Sequence, residues 1–481
     1  MNSWLRFRLG LTIVLLSVVS STAQVLDLSN RRELLVDHYL IERLQGAQLK
    51  LHEPQKAGIV LKFDLPWEGP FVGYATVIKD GETYRLYYRG LPTAGKDGSE
   101  MEVTCYAQSE DGINWHKPVV GLFDVRGQLN NNVVLHGQAP ASHNFSPFLD
   151  QRPGVPASER FKAVGGTQAS ELLAFVSGDG IHWSKWQDKP VFTKGIFDSQ
   201  NVVFWSESES CYACYFRTWT GEGYAGFRTV SRATSPDLLR WTDPVAMDFG
   251  ATPNEHLYTS QTHPCFRAPH IYIATPMRLM PGRKVLTEAQ AKTLGVHANY
   301  QGDCADAVFM TSRGSNRFDR TFMEAWIRPG ADLGNWASRA GMTALGVVPT
   351  GPAEMSIYKQ ANYAQPSACL VRYTLRTDGF VSINAPYRGG EMVTKPFRFS
   401  GKELVINFAT SAAGSLRVEL QIESGQAVPG FSLEEAVEAV GDEIERVVSW
   451  KPGSDVSKLA GQVVRLRFVM KDADLYSLRF R

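Results

Sequence analysis

Four carboxylates stand where strand-like segments begin, a place from which a side chain can face solvent while its backbone enters a sheet. Asp198 lies in Phe197-Asp198-Ser199-Gln200-Asn201, ahead of an apolar run. Glu255 opens the polar and aromatic stretch Glu255-His256-Leu257-Tyr258-Thr259-Ser260-Gln261-Thr262-His263-Pro264. Glu68 sits in Pro66-Trp67-Glu68-Gly69-Pro70, and Glu354 in Gly351-Pro352-Ala353-Glu354-Met355-Ser356. Two carboxyl groups flanking one bond, one protonated to assist a leaving oxygen and one ionised, are the equipment of glycosidic-bond hydrolysis. Burial and neighbours must push their pKa values apart. The expected assignment is Glu255 as general acid and Asp198 as base or nucleophile, with Glu68 and Glu354 in reserve. For any one of the four, a solvated or ion-paired loop carboxylate is the competing reading.

Three arginines end strand-like runs: Arg89 in Tyr88-Arg89-Gly90, Arg217 in Phe216-Arg217-Thr218 and Arg278 in Met277-Arg278-Leu279. Guanidinium groups converging on one pocket suit a carboxylate or sulfate, which they grip through paired hydrogen bonds. The competing arrangement pairs each arginine with one of the acids above. His143, Gln261 and His263 complete the candidate binding residues. The histidines at 143, 256, 263 and 270 show no ligand spacing of the H-E-x-x-H kind, so no catalytic metal is expected, and His270 within Pro269-His270-Ile271-Tyr272 reads as structural.

What positions these residues is a repeat. Ser109-Glu110-Asp111-Gly112-Ile113-Asn114-Trp115 returns as Ser177-Gly178-Asp179-Gly180-Ile181-His182-Trp183 and as Ser235-Pro236-Asp237-Leu238-Leu239-Arg240-Trp241. Weaker copies occupy Ser312 to Phe318 and Arg376 to Phe380. The closing aromatics fall roughly 60 to 80 residues apart, a period that marks repeated units. Asp-Gly supplies the turn, because Gly accepts φ > 0 and Asp can bond its own backbone. Before each turn lie short β-rich runs such as Tyr74 to Ile78, Tyr84 to Tyr88 and Val103 to Ala107. Three or four strands per unit predict an all-β, five-bladed β-propeller over 24–384. A β-sandwich of hairpins is the alternative, but it has no reason to repeat one turn five times. Strand alternation at Leu404 to Phe408, Leu416 to Leu420, Val463 to Val469 and Leu475 to Phe480 predicts a C-terminal β-sandwich over 385–481, with helical periodicity only at 433–447.

Arg6 and Arg8, the apolar run Leu9 to Val19 and Ser21-Thr22-Ala23 read as a signal peptide over 1–23, which predicts a secreted or periplasmic protein with no membrane span after cleavage. The alternative is an uncleaved anchor, against which the run is short. A formal net charge of +1 argues against a nucleic-acid binder. Eleven Trp, 17 Tyr and 25 Phe suit strands and also suit stacking on sugar rings. Six scattered cysteines show neither a disulfide framework nor zinc spacing, and read as small buried apolar residues.

The Ser-x-Asp-x-x-x-Trp turns, the Asp-Gly-x-x-Tyr hairpins and the trailing sandwich resemble the five-bladed propeller glycoside hydrolases of families 32, 43, 68 and 130, with a layout closest to family 32. In such a propeller the innermost strand of each blade starts at the face holding the site, and the second strand ends there. The resemblance therefore implies Glu68, His143, Asp198, Glu255 (or Gln261 and His263) and Glu354 at inner-strand starts, with Arg89, Arg217 and Arg278 at second-strand ends. It also makes a structural calcium in the central channel admissible, with no other cofactor. The sequence departs from the pattern at two places. The first-blade acid falls on Tyr74, and His143-Asn144-Phe145-Ser146-Pro147 stands where family 32 has Arg-Asp-Pro. The expected function is hydrolysis of an acidic or sulfated oligo- or polysaccharide at the propeller mouth. A non-catalytic glycan-binding or cell-surface scaffold is the main alternative, and a lyase or phosphorylase the third.

Overall fold

The computed structural model describes residues 25–95 and 97–481, so the leader read at 1–23 lies outside the described residues. They are all-β, and the one α-helix among them, Glu288–Leu294, is capped by Thr287 and closed by a left-handed Gly295. Antiparallel meanders follow one another along the chain. The first orders Gly73–Asp80, Thr83–Gly90, Val103–Ser109 and Val133–Leu135 side by side. The second orders Ser146–Leu149, Phe161–Gly165, Leu173–Ser177 and Ser184–Lys185, and the third Val202–Ser206, Cys211–Trp219, Arg228–Ser235 and Val245–Ala246. Their opening strands are almost wholly buried, which explains the continuous apolar runs there.

The fourth meander is divided. His263–Cys265, Ala268–Ala274 and Met310–Ser312 form one three-stranded sheet, and His256–Leu257, Met277–Met280 and Cys304–Ala307 another. Thr275-Pro276 makes the break, since Pro276 has no N–H to give the ladder.

The fifth meander corrects the expectation for Glu354. Its first strand is Val348–Pro349, extended by a bridge from Thr343 to Lys359, and Glu354–Ala361 is its second. Glu354 therefore follows the turn at 350–353 and stands at the end opposite the one where the first strand begins. It pairs there with Arg372. Cys369–Arg376 comes next, and Gln55–Lys62, from far earlier in the chain, forms the outer strand. First strands lie beside one another: Val77 N donates to Leu345 O and Leu345 N to Ala75 O, both at 2.8 Å. Ser146–Leu149 lies against Gly73–Asp80 and Val202–Ser206, and the latter against His263–Cys265.

The repeated turn does what its sequence predicts. Asp111 Oδ1 accepts from the backbone N–H groups of Ile113 (2.7 Å) and Asn114 (2.8 Å), and Trp115 Nε1 donates to Gly112 O at 3.1 Å. Asp179 with Trp183, and Asp237 with Trp241, repeat the set. Burial works to raise the Asp237 carboxyl, but these N–H donors and Arg240 bring it down to about 2. Leu238 takes the place of Gly112 and Gly180 at a φ of 67°. A left-handed Leu costs about 1–2 kcal/mol, whereas losing a buried Leu side chain costs about 2–5 kcal/mol. Leu238 is 1% exposed and packs with Phe192 and Phe216. Burial wins, so Leu238→Gly is expected to lower stability in urea titration by roughly 1–3 kcal/mol although it relieves the strain.

A ten-stranded sheet holds both ends of the described chain. Leu404–Ile422 and Val464–Phe480 form its long antiparallel pair. Val381–Ala385, Gly390–Thr394 and Phe397–Phe399 join them, and so do Leu26–Ser29, Glu33–Leu34, Ile41–Gln45 and Gln48–Leu51. The helical pattern at 433–447 is not realised: Asp442–Val447 is a strand of this sheet, because its backbone pairs with Val405 to Ala409. Beneath lies a core containing Phe397, Phe408, Trp450, Phe468 and Leu478. Where this sheet meets the fourth and fifth meanders, Asp378 accepts from Arg267 (3.1 Å) and Ser477 (2.7 Å), while Glu33 takes Arg313 and His270, both at 2.9 Å. All six cysteines are free thiols and five are buried. Burial pushes the Cys265 thiol up to about 12, which keeps it protonated and unreactive.

Candidate functional site

The first strands of the meanders are approached through loops that hold residues in the left-handed region. Tyr74 (φ 52°), Phe197 (56°), Gln261 (49°) and Arg339 (64°) belong to four different meanders or their leads. Such a conformation costs of order 1–3 kcal/mol at a non-glycine residue and persists only where the surroundings enforce it. For Tyr74 the cause is an irregular register between Gly73 and Thr76, which swings the ring towards the second and fourth meanders. The ring meets His143 edge-on at 5.5 Å and Tyr258, and the Arg89 guanidinium lies 4.9 Å over it.

Tyrosines and arginines make the centre. Tyr258, 3% exposed, has Arg217 4.5 Å and Arg339 5.0 Å from its ring centre, with Arg228 at 5.9 Å. Arg339 also lies 5.0 Å from Tyr300 and 6.0 Å from Tyr363. Burial works to raise the Tyr258 phenol, but Arg339 and Arg217, with a hydrogen bond from Tyr74, bring it below its ordinary value. Burial and the neighbouring Tyr258 push Tyr74 the other way, well up. Two adjacent phenols are thus driven apart, the pattern that separates a proton acceptor from a proton donor.

His143 joins this centre through charged neighbours. Its Nδ1 lies 2.8 Å from Glu102 Oε1 and 3.1 Å from Arg89 Nη1, and its Nε2 lies 3.9 Å from Asp97 Oδ2. Arg89 also donates to Phe71 O (3.0 Å) and the Tyr363 hydroxyl (3.3 Å). Asp198 accepts from Arg217 Nε at 3.0 Å and Nη2 at 2.6 Å, and keeps about a fifth of its side chain exposed. Asp97, 58% exposed, lies beside His143.

The other expected residues lie elsewhere. Glu255 pairs with Arg278 at 2.8 Å and Arg320 at 3.1 Å, facing a separate cavity of about 230 Å³ lined by Thr220, Thr229, Asp248 and Leu257. Arg278 is further tied to Asp306 at 2.6 Å. Glu68 is corrected as a mouth residue: it is fully buried, accepting from Leu65 N (2.9 Å), Tyr88 Oη (2.5 Å) and Lys117 Nζ (2.7 Å). Gln261 is also fully buried and donates to Gln200 Oε1 (2.8 Å) and Thr343 O (2.7 Å). His263 has both ring nitrogens occupied by backbone: Nδ1 donates to Gln261 O at 3.0 Å and Nε2 accepts from Val347 N at 3.1 Å. Burial lowers its pKa to about 4 and keeps the ring neutral. Among the described residues no group of three or more His, Cys, Asp or Glu is placed to hold a metal ion.

The structure therefore brings together Arg89, Arg217, His143 and Asp198, and adds Tyr74, Tyr258, Arg339, Glu102 and Asp97. Only Tyr74 carried a sequence signal, as the residue at the first-blade acid position. Arg339 had none, because it precedes the short first strand of the fifth meander.

A scan against protein-family models finds no match, and a search of curated proteins finds none. Among solved structures the chain is similar to a glycoside hydrolase at 13% identity and a TM-score of 0.45, over 67% of this chain and 92% of that one. It is similar to an N-acetylgalactosamine deacetylase from F. plautii in complex with blood group B trisaccharide at 12% identity and a TM-score of 0.42, over 69% and 96%. A third similar structure is a glycosyl hydrolase from Bacteroides ovatus, at 13% identity and a TM-score of 0.35, over 73% and 96%.

Proposed function

We propose that the chain is an exported, carbohydrate-active protein built on a five-bladed β-propeller, whose mouth binds an acidic glycan. One observation carries the reading. Arg89, Arg217 and Arg278 each have a carboxylate within ion-pairing distance, whereas Arg339, half-buried and ringed by Tyr258, Tyr300 and Tyr363, has none among the described residues. A partly desolvated guanidinium without a counter-ion favours an anionic ligand, and the tyrosine rings offer faces for a sugar. The leader-like residues at 1–23 support export to the periplasm or beyond. Among the described residues no helix is long and apolar enough to cross a membrane.

The test is binding of polyuronates and sulfated polysaccharides against neutral polymers of matched linkage. Charged glycans are expected to bind at least tenfold tighter, and Arg339→Gln to remove about 1.5–3 kcal/mol, or ten- to a hundredfold, from the charged glycans alone. Equal binding of charged and neutral polymers by the unmodified protein overturns the reading. Hydrolysis is the second reading, favoured by two partly exposed acids, Asp198 and Asp97, at the mouth. Under it, Asp198→Asn abolishes the release of reducing ends. Glu255 as acid partner requires its two arginines to yield, and Glu255→Gln tests that role in the same assay.

A further inference from the structure

We infer that the mouth cleaves a 4-linked uronate by β-elimination, with Tyr258 taking the proton from C5 and Tyr74 serving the departing oxygen. The inference rests on the acidic-glycan reading of the same site and names its substrate class and reaction. It starts from what surrounds the Arg339 guanidinium, which has no carboxylate partner among the described residues. A substrate carboxylate held by Arg339 has its C5 one bond away, and the Tyr258 ring lies 5.0 Å from that guanidinium. The C5 hydrogen is thereby brought to the side chain that four neighbours prepare as a base. Arg217, Arg228 and Arg339 place positive charge around Tyr258, and Tyr74 stands against it.

Charge neutralisation on Arg339 does the work that makes the step feasible. Withdrawing a proton from the carbon beside a carboxylate builds negative charge on the carboxylate oxygens, and fixed guanidinium donors stabilise that charge as it forms. The balance is as follows. Tyr258 as phenolate takes the C5 proton. The C5–H electron pair becomes the C4–C5 double bond, and the C4–O bond breaks with its electrons leaving on oxygen. That oxygen takes the Tyr74 proton, and the proton on Tyr258 then passes to Tyr74 across the contact between the two phenols. Both tyrosines end as they began. No water, metal or oxidant is consumed, and the products are a new chain end and a sugar carrying a 4,5-unsaturated carboxylate. The low phenol of Tyr258 and the high one of Tyr74 agree with these roles.

The experiment incubates the full chain with polygalacturonate, polymannuronate and chondroitin sulfate, following the ultraviolet absorbance of the unsaturated carboxylate and the reducing ends in parallel. The expected result is that both rise together on at least one polymer, and that Tyr258→Phe slows both by about 10² to 10⁴-fold while leaving polymer binding in place. Tyr74→Phe is expected to slow the reaction without changing binding, and thermal melting of each variant reports its folding. Reducing ends without absorbance on a polymer that is cleaved would mean hydrolysis and overturn the inference. Binding of all three polymers with no absorbance also overturns it and leaves the acidic-glycan reading standing. Failure to bind any of the three polymers overturns both.

Discussion

Replacing Asn144 with alanine is expected to lower the unfolding free energy by about 3–5 kcal/mol, one of the largest losses available outside the core. The residue is fully buried and works as a clamp. Its amide nitrogen donates towards Gly166 O (2.8 Å), Phe197 O (2.7 Å) and Ser199 O (2.6 Å), and its oxygen accepts from Gly166 N at 2.9 Å. Alanine leaves these backbone groups in the interior without a partner, at about 1–3 kcal/mol for each one left unsatisfied, partly relieved by entering water. The consequence reaches the mouth, because Phe197 and Ser199 flank Asp198. Asn144→Ala is therefore expected to loosen the binding proposed for this site along with the fold, read as a lower urea midpoint and a weaker binding isotherm in the same preparation. Asn144→Asp should be no milder. An ionised carboxylate only accepts hydrogen bonds, and here it would confront three carbonyl oxygens. The position is structural, and its chemistry requires a donor.

Glu33→Ala is expected to cost about 1–3 kcal/mol, through the loss of a buried carboxylate and its hydrogen bonds, while Arg313 keeps Asp37 at 2.8 Å. Glu33 is fully buried between the ten-stranded sheet and the fourth meander, holding Arg313 and His270. Burial alone would raise its carboxyl, but Arg313 and His270 outweigh burial and hold it below the ordinary 4.5. A carboxyl lowered in the folded state contributes stability that is complete above its unfolded value and drains away as pH falls through the folded one. The urea midpoint of the unmodified protein should therefore fall as the medium is acidified below about 4.5. Glu33→Gln should start lower at neutral pH and show a shallower acid decline. Parallel acid limbs for the two proteins would dismiss the assignment.

The meanders could be read from the sequence because their signal is local. Asp111, Asp179 and Asp237 each organise a turn within four residues, and the closing Trp returns to the same turn. Positions that depend on distant partners could not be read this way. Asp442–Val447 looked helical because its own spacing allows it, yet strand Leu404–Ile422 supplies its hydrogen bonds. Glu354 was misplaced because the first strand of its meander, Val348–Pro349, is two residues long and has no alternating pattern to find. At the mouth, Arg89 and Arg217 were found because strand ends are visible in sequence. Arg339, Glu102 and Tyr258 were not singled out: their meaning comes from one another, and they lie in separate meanders.

Strand Gln55–Lys62 borders Cys369–Arg376, and Leu26–Ser29 borders Phe397–Phe399. During synthesis the early strands emerge some three hundred residues before the partners they need, a wait on the order of half a minute at roughly 5–20 residues per second. Pairings so far apart in the chain fold slowly, and an unpaired strand edge invites pairing with the wrong neighbour. Lys56 and Lys62, one near each end of that strand, carry charge that discourages such encounters. The early strands thus stay without their partners until Cys369–Arg376 and Phe397–Phe399 arrive.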